Sequence, residues 1–269
     1  FCPLIVQFEI EQKLSYRINH YSQYDNCLIN IETLTNQHSI KLNYIRDIMT
    51  RLLTINQISE VNIDRIKCKF WLTKQKKSLP KNKILTSHSV NTASTYCHNC
   101  DYVKIWRIEE SKKVICHEIF HCLGLDFHDF PLYLLKLLKS RINVPNDINI
   151  LLFESYVETW ATIINCICYL NLFKVQSQEL FFNLIQKIIE YEICFSTFQT
   201  AKILHFFGFK TYQQFFNIKG FSKSEISNQF QQTSCSLSYY IIKSALLYNI
   251  NNFISFCQNN NKPTILNFN

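Results

Sequence analysis

Glycine and proline are scarce in this chain, three and five among 269 residues. That leaves little material for flexible linkers and excludes a collagen-like or Gly/Pro-rich low-complexity organisation. No fixed-period repeat is present, which excludes solenoids and propellers. No apolar stretch reaches the roughly 18 residues needed to span a bilayer, because Glu, Asn and Lys interrupt every candidate, so no membrane partner is expected. Charged residues are few, 18%, against 47% hydrophobic, a globular rather than a disordered balance. No signal peptide is visible, and a soluble chain in a reducing intracellular setting is the expectation. The first residue is Phe1 and not Met, so a processed or truncated amino terminus stays open.

The formal charge is +8, and where the basic residues fall matters more than their sum. They concentrate between Arg65 and Lys83, a stretch that reads as a strand followed by a solvated connection. No recognised nucleic-acid module accompanies it, so a nucleic-acid partner is disfavoured. Lys74, Lys76 and Lys77 are the residues on which such binding would depend. Twelve cysteines lack the dense spacing of a small disulfide-framed domain. Cys116, Cys122, Cys166, Cys168 and Cys194 fall in apolar helical stretches, where free cysteine acts as a small buried hydrophobe.

At this length the chain can bury one sizeable core or two lobes meeting at a cleft, and two lobes are expected. From Ser39 to Leu53, Ile40, Ile45, Ile48, Leu52 and Leu53 recur at helical spacing. Ile66–Thr73 and Tyr102–Ile108 alternate with period two, as strands do. Helices are expected over Glu109–Leu123, Asp129–Ser140, Ile148–Leu172, Gln178–Glu192, Phe198–Phe207 and Ser236–Phe256. Gly124 is placed to end the first of these, and Pro145 with Asp147 to start the third. The expected architecture is α+β: a strand-and-helix lobe over residues 1–125 and a helical lobe over 126–269.

The chemistry concentrates in His117-Glu118-Ile119-Phe120-His121. Two imidazoles one helical turn apart project from one face and can hold one Zn²⁺. Glu118 lies beside the first, where its carboxylate can take a proton from a metal-activated water. Val114 to Leu123 is otherwise free of charge, so the helix must be buried, and buried His and Glu demand a compensating partner.

With its motif bracketed by uncharged residues, the segment Val114–Leu123 resembles the active-site helix of the zincin metallopeptidases. VNTAST at Val90–Thr95 and the run from Ile105 to His128 are also similar to uncharacterised metallopeptidase-like sequences of large DNA viruses. The zincin resemblance implies a small twisted sheet whose edge strand pairs with extended substrate. Tyr102–Arg107 is the candidate, with Val103 and Ile105 as substrate-binding positions. It further implies one catalytic zinc, a peptide or protein substrate and a third protein ligand. The metzincin pattern continues to a histidine where this chain has Phe127, with His128 one place late; a one-residue bulge would bring His128 into that position, so it stays open as a third ligand. The gluzincin pattern places a ligand Glu on a downstream helix, and Glu154 and Glu158 share one helical face. Glu154 as ligand with Glu158 orienting a histidine is the preferred order; the swap, in which Glu158-Thr-Trp-Ala161 carries the ligand, stays open.

Gluzincins often stabilise the transition-state oxyanion with a Tyr or His from the helical lobe, and Tyr239 and Tyr240 are the candidates. His205, among Leu204, Phe206 and Phe207, reads as a core histidine. Cys97-His98-Asn99-Cys100 is half of a zinc or redox motif without its second half, and reads as a turn before the edge strand. The expected activity is peptide-bond hydrolysis. A zincin fold that holds metal only to bind a partner, and a basic nucleic-acid-associated protein, are the alternatives.

Overall fold

The computed structural model describes residues 13–24, 27–36, 41–59, 61, 64–127, 131–216 and 229–261, together with 7, 10 and 11. Strands β1 (Tyr16–Tyr24), β2 (Cys27–Thr35), β3 (Arg65–Thr73), β5 (Ala93–Tyr96) and β6 (Asn99–Arg107) form one mixed sheet in the order β1-β2-β3-β6-β5. The β2–β3 and β3–β6 pairs are parallel, and β1–β2 and β5–β6 antiparallel. A parallel pair needs a crossover, and helix α1 (Leu42–Ile58) lies between β2 and β3.

The strands exist because one face is apolar at every second residue. Ile31 lies beside Cys68 and Cys68 beside Val103; Thr33 lies beside Phe70 and Phe70 beside Ile105. All six are buried. Onto this face pack Ile48, Leu52 and Ile55 of α1 and Ile115, Ile119 and Phe120 of α2 (Ser111–Cys122). Each such side chain removed from water contributes about 1.5–3 kcal/mol.

The strand carrying Val103 and Ile105 is therefore not the edge strand expected from sequence. β6 is paired on both sides, by β3 and β5, and both residues point into the core, so neither can meet a substrate. Among the described strands, the edge beside it is β5. The turn that joins β5 to β6 contains Cys97 and His98, and His98 takes the left-handed conformation at φ +58.

After α2 the described chain is almost wholly helical: α3 (Leu132–Arg141), α4 (Leu152–Asn171), α5 (Gln178–Phe206), a π-helical segment (Leu237–Ile242), α6 (Lys243–Tyr248) and α7 (Ile250–Asn260). It is interrupted by β7 (Gln231–Gln232), which pairs with β4 (Ile84–Leu85) from before α2, and by an isolated bridge between Ile142 and Phe216. The chain is thus mixed α/β. Two expected helices, Gln178–Glu192 and Phe198–Phe207, are one, because no glycine or proline interrupts them and the Ser177 hydroxyl caps the start by accepting from the Leu180 N–H. Residues 145–147 form a turn, and the next helix begins later, at Leu152. His205 and Cys194, expected in the core, are exposed on α5.

The two apolar cores do not divide at Gly124. The first joins the sheet, α1 and α2 to Tyr156–Cys168 of α4 and to Phe253 and Cys257 of α7. The second gathers Leu85 and Val90 with Ile142–Ile150, Ile203–Phe215, Phe230 and Ile241. Helix α4 is therefore an inner element of the sheet's own core, and this brings its acidic residues to α2. Among the described residues, no helix is long and apolar enough to cross a membrane.

Candidate metal centre

Helix α2 stops where it does because Gly124 takes φ +65, and a Cβ there would come within 2.2 Å of the His98 ring. The His121 carbonyl accepts from the backbone N–H groups of both His98 and Gly124, at 3.2 and 3.1 Å. A disulfide joins Cys100 of β6 to Cys122, so the β5–β6 turn is tied to the end of the helix that carries His121. Cys122 is thus not the free thiol expected from sequence.

His117 and His121 are both buried, with ring centroids 4.8 Å apart. Their Nε2 atoms stand 3.1 Å from each other. Glu154, in the first turn of α4, places Oε2 3.2 Å from His117 Nε2 and 3.3 Å from His121 Nε2. On the far side of each ring a carboxylate faces Nδ1: Glu158 Oε2 at 2.9 Å from His117 and Asp126 Oδ2 at 2.8 Å from His121. Glu158 is also ion-paired to Lys113.

A carboxylate on each Nδ1 selects the tautomer that donates there, which turns both Nε2 lone pairs inward. Two lone pairs and a carboxylate oxygen then crowd one point, and no hydrogen bond of good geometry reaches Glu154 Oε2 among the described residues. Such a pocket can hold a cation. The three donor separations also suit one: ligands about 2.0–2.1 Å from a tetrahedral zinc lie about 3.3 Å from each other. The same electron-rich surroundings act on protons. Burial alone would lower the His117 and His121 values, but Glu154 and Glu158 raise the first, and Asp126 and Glu154 carry the second well up. Against its own burial, Glu154 is held at about 2 by the two histidines.

Glu158 lies outside the triangle, on the Nδ1 side, and Glu154 inside it. His128 falls outside the described residues. Phe127 packs edge-on against Tyr156, with ring centroids 5.3 Å apart. Cys97, His121 and Asp126 form a second donor group within 4.8 Å, but it shares His121, whose Nδ1 already faces Asp126.

Beside the triangle lies a cavity of about 520 Å³, lined in part by His117, Glu118, Tyr239 and Tyr240. Burial raises the Glu118 carboxyl, and Glu154 and Glu158 add to this against the two histidines. Tyr239 packs its ring 5.7 Å from that of His117. Burial foremost, then nearby Glu154, holds its phenol well above the usual value, so it is a proton donor. Both tyrosines come from the π-helical segment, a local widening common at functional sites. The Tyr240 carbonyl accepts from the Thr200 hydroxyl of α5 at 2.9 Å.

Sequence reading missed Asp126, Lys113 and Lys243. Asp126 carries a faint signal, a carboxylate five residues past His121 and just beyond a glycine helix stop. Lys113 sits one turn before His117 on the same face. The basic loop, expected as a solvated connection, instead helps to wall the cavity through Lys76 and Lys77, and Lys77 is paired with Glu110 at 2.6 Å.

No family profile matches the chain, and no solved structure matches it significantly. Among curated proteins it is similar to an uncharacterised protein of Acanthamoeba polyphaga mimivirus, with 26% identity over 168 residues. That match covers 61% of this chain and 41% of the relative, so the resemblance to large-DNA-virus sequences has a relative behind it, one of which this chain spans less than half.

Proposed function

We propose that this chain is a zinc-dependent peptidase of the zincin type, with a gluzincin-like ligand set of His117, His121 and Glu154. One observation carries the reading: two imidazole nitrogens and a carboxylate oxygen lie 3.1–3.3 Å apart with Glu118 beside them at a cavity. When bound, zinc would lower the pKa of a coordinated water and polarise the scissile carbonyl.

The chain's own residues divide the remaining work. Glu118 accepts the proton of the attacking water and delivers it to the leaving amine, a role suited by a carboxyl raised through burial. Asp126 and Glu158 hold the two rings in one tautomer and orientation. The Tyr239 hydroxyl is the donor for the developing oxyanion, with Tyr240 as the second candidate on the same segment. An extended peptide would pair with β5, whose neighbours Asn91 and Thr92 line the cavity together with Ala93. That role passes to β5 from Val103 and Ile105.

The test joins metal analysis to a peptide-library digest of wild type and Glu118→Gln. One zinc per chain is expected in both proteins and cleavage in the wild type alone. Equal digestion by both would remove Glu118 from the mechanism; zinc without hydrolysis in either would leave a metal-holding binding module.

A further inference from the structure

Five lysines line the cavity beside the metal centre, and their situations differ. Lys77 is paired with Glu110 and Lys113 with Glu158. Lys76 and Lys202 are exposed, where water satisfies their charge. Lys243 is neither paired nor exposed. It opens α6 at the end of the π-helical segment, is 7% exposed, and among the described residues forms no ion pair or hydrogen bond. Its Nζ is not sealed in the protein interior, because the side chain borders the cavity.

An unpaired ammonium held away from water is costly. Burial, and then the nearby Lys113, pull Lys243 down to about 8 against the attraction of Glu158 and Glu192. A buried cation that no described carboxylate meets in an ion pair, facing a cavity, is a site for an anion that arrives from outside. Lys243 lies four residues beyond Tyr239, where the π-helical segment passes into α6, and helical residues four apart lie about 5–6 Å apart at Cβ. An extended peptide covers that distance in one to two residues, at about 3.3–3.6 Å each.

Resting on the peptidase reading, the geometry points to Lys243 as the residue that selects peptides carrying a carboxylate within two residues of the bond to be cleaved. Two sources supply that group: an aspartate or glutamate side chain, and the terminal carboxylate of the substrate chain. Lysine binds either as a point charge and demands no planar, two-pronged partner.

The experiment compares matched peptides on the full, zinc-loaded protein. One pair differs by Glu or Gln within two residues of the cleaved bond; the other has a free or an amidated carboxyl terminus. For one of the pairs wild type is expected to favour the carboxylate form by about tenfold or more in kcat/KM, the factor of one charge-assisted hydrogen bond. The responding pair identifies the source. Lys243→Met is expected to bring the ratio close to one and Lys243→Glu to invert it. Because it removes an unpaired buried charge, Lys243→Met should also melt at or above the wild-type temperature; Lys243→Gln repeats the comparison if it does not fold. A wild-type ratio near one in both pairs, or a ratio unchanged by Lys243→Met, overturns the inference.

The same peptides are titrated into Glu118→Gln, with and without Lys243→Met. If no protein hydrolyses any peptide, the peptidase reading fails by itself. Tighter binding of the carboxylate form that is lost with Lys243→Met then still upholds the anion site, and equal or absent binding of both forms overturns it.

Discussion

Two walls of the cavity solve the problem of buried charge in opposite ways. On the wall formed by α2 and α4, partners extend outward in chains: His117 to Glu158 to Lys113, and His121 to Asp126. The facing wall, made by the π-helical segment and α6, supplies Tyr239 and an unpaired Lys243. A wall whose two imidazoles are each braced by a carboxylate holds its inner donors rigidly, which a metal requires. A wall with a charge left over is set to recognise something that comes and goes.

The comparison breaks most severely at the inner donors. Glu154→Gln removes the anionic corner of the triangle, and zinc content should fall from one per chain to background after dialysis, with hydrolysis lost as well. Full retention of metal would show that another residue closes the site. On the opposite wall, Tyr239→Phe is expected to lower kcat about 100- to 1000-fold with KM little changed, while Tyr240→Phe does less. Steady-state kinetics of the two variants separate them, and the reverse ranking would move the oxyanion donor to Tyr240.

Smaller effects sharpen the picture of the saturated wall. Asp126→Asn and Glu158→Gln should each weaken zinc binding about 10- to 100-fold, measured by competition with a chelator. Unchanged affinity in both would mean that the Nδ1 partners do not orient the rings. Least disruptive to the metal is loss of the Cys100–Cys122 link, which closes a span of 22 residues. The double variant Cys100→Ser with Cys122→Ser should lose about 3 kcal/mol in urea unfolding, the loop-entropy value for such a span. Its zinc affinity should stay within a few-fold of wild type; a larger drop would make the staple part of the metal site.

Legibility followed the range of the interactions. Helix α2 was readable because its apolar run and its His-x-x-x-His spacing are local. The same holds for β3 and β6, whose alternation records a half-buried face. β1 and β2 escaped notice. β2 alternates much as β3 does, but β1 intersperses His, Asn, Ser and Gln with its apolar residues, so only pairing with β2 defines it. The zincin resemblance alone points to β6 as the edge strand, and its period-two alternation could not correct this, because alternation reports a face whereas an edge is a statement about neighbours. The helix break expected between Glu192 and Phe198 is absent, because no residue there removes a backbone hydrogen bond as a proline would, and Ser196 and Thr197, which favour caps, do not by themselves end a helix.

By itself, the order of residues determined that two imidazoles and a carboxylate would share one helix, because 3.6 residues per turn is a property of the backbone and needs no partner. It also placed Glu154 and Glu158 on one face of a second helix. Which of the two faces the Nε2 atoms, that Asp126 steadies His121, and that Lys243 has no ion pair among the described residues were decided only by tertiary packing. These depend on how α4 and the π-helical segment dock against α2, distances set by side chains scores of residues apart and carried by no local periodicity.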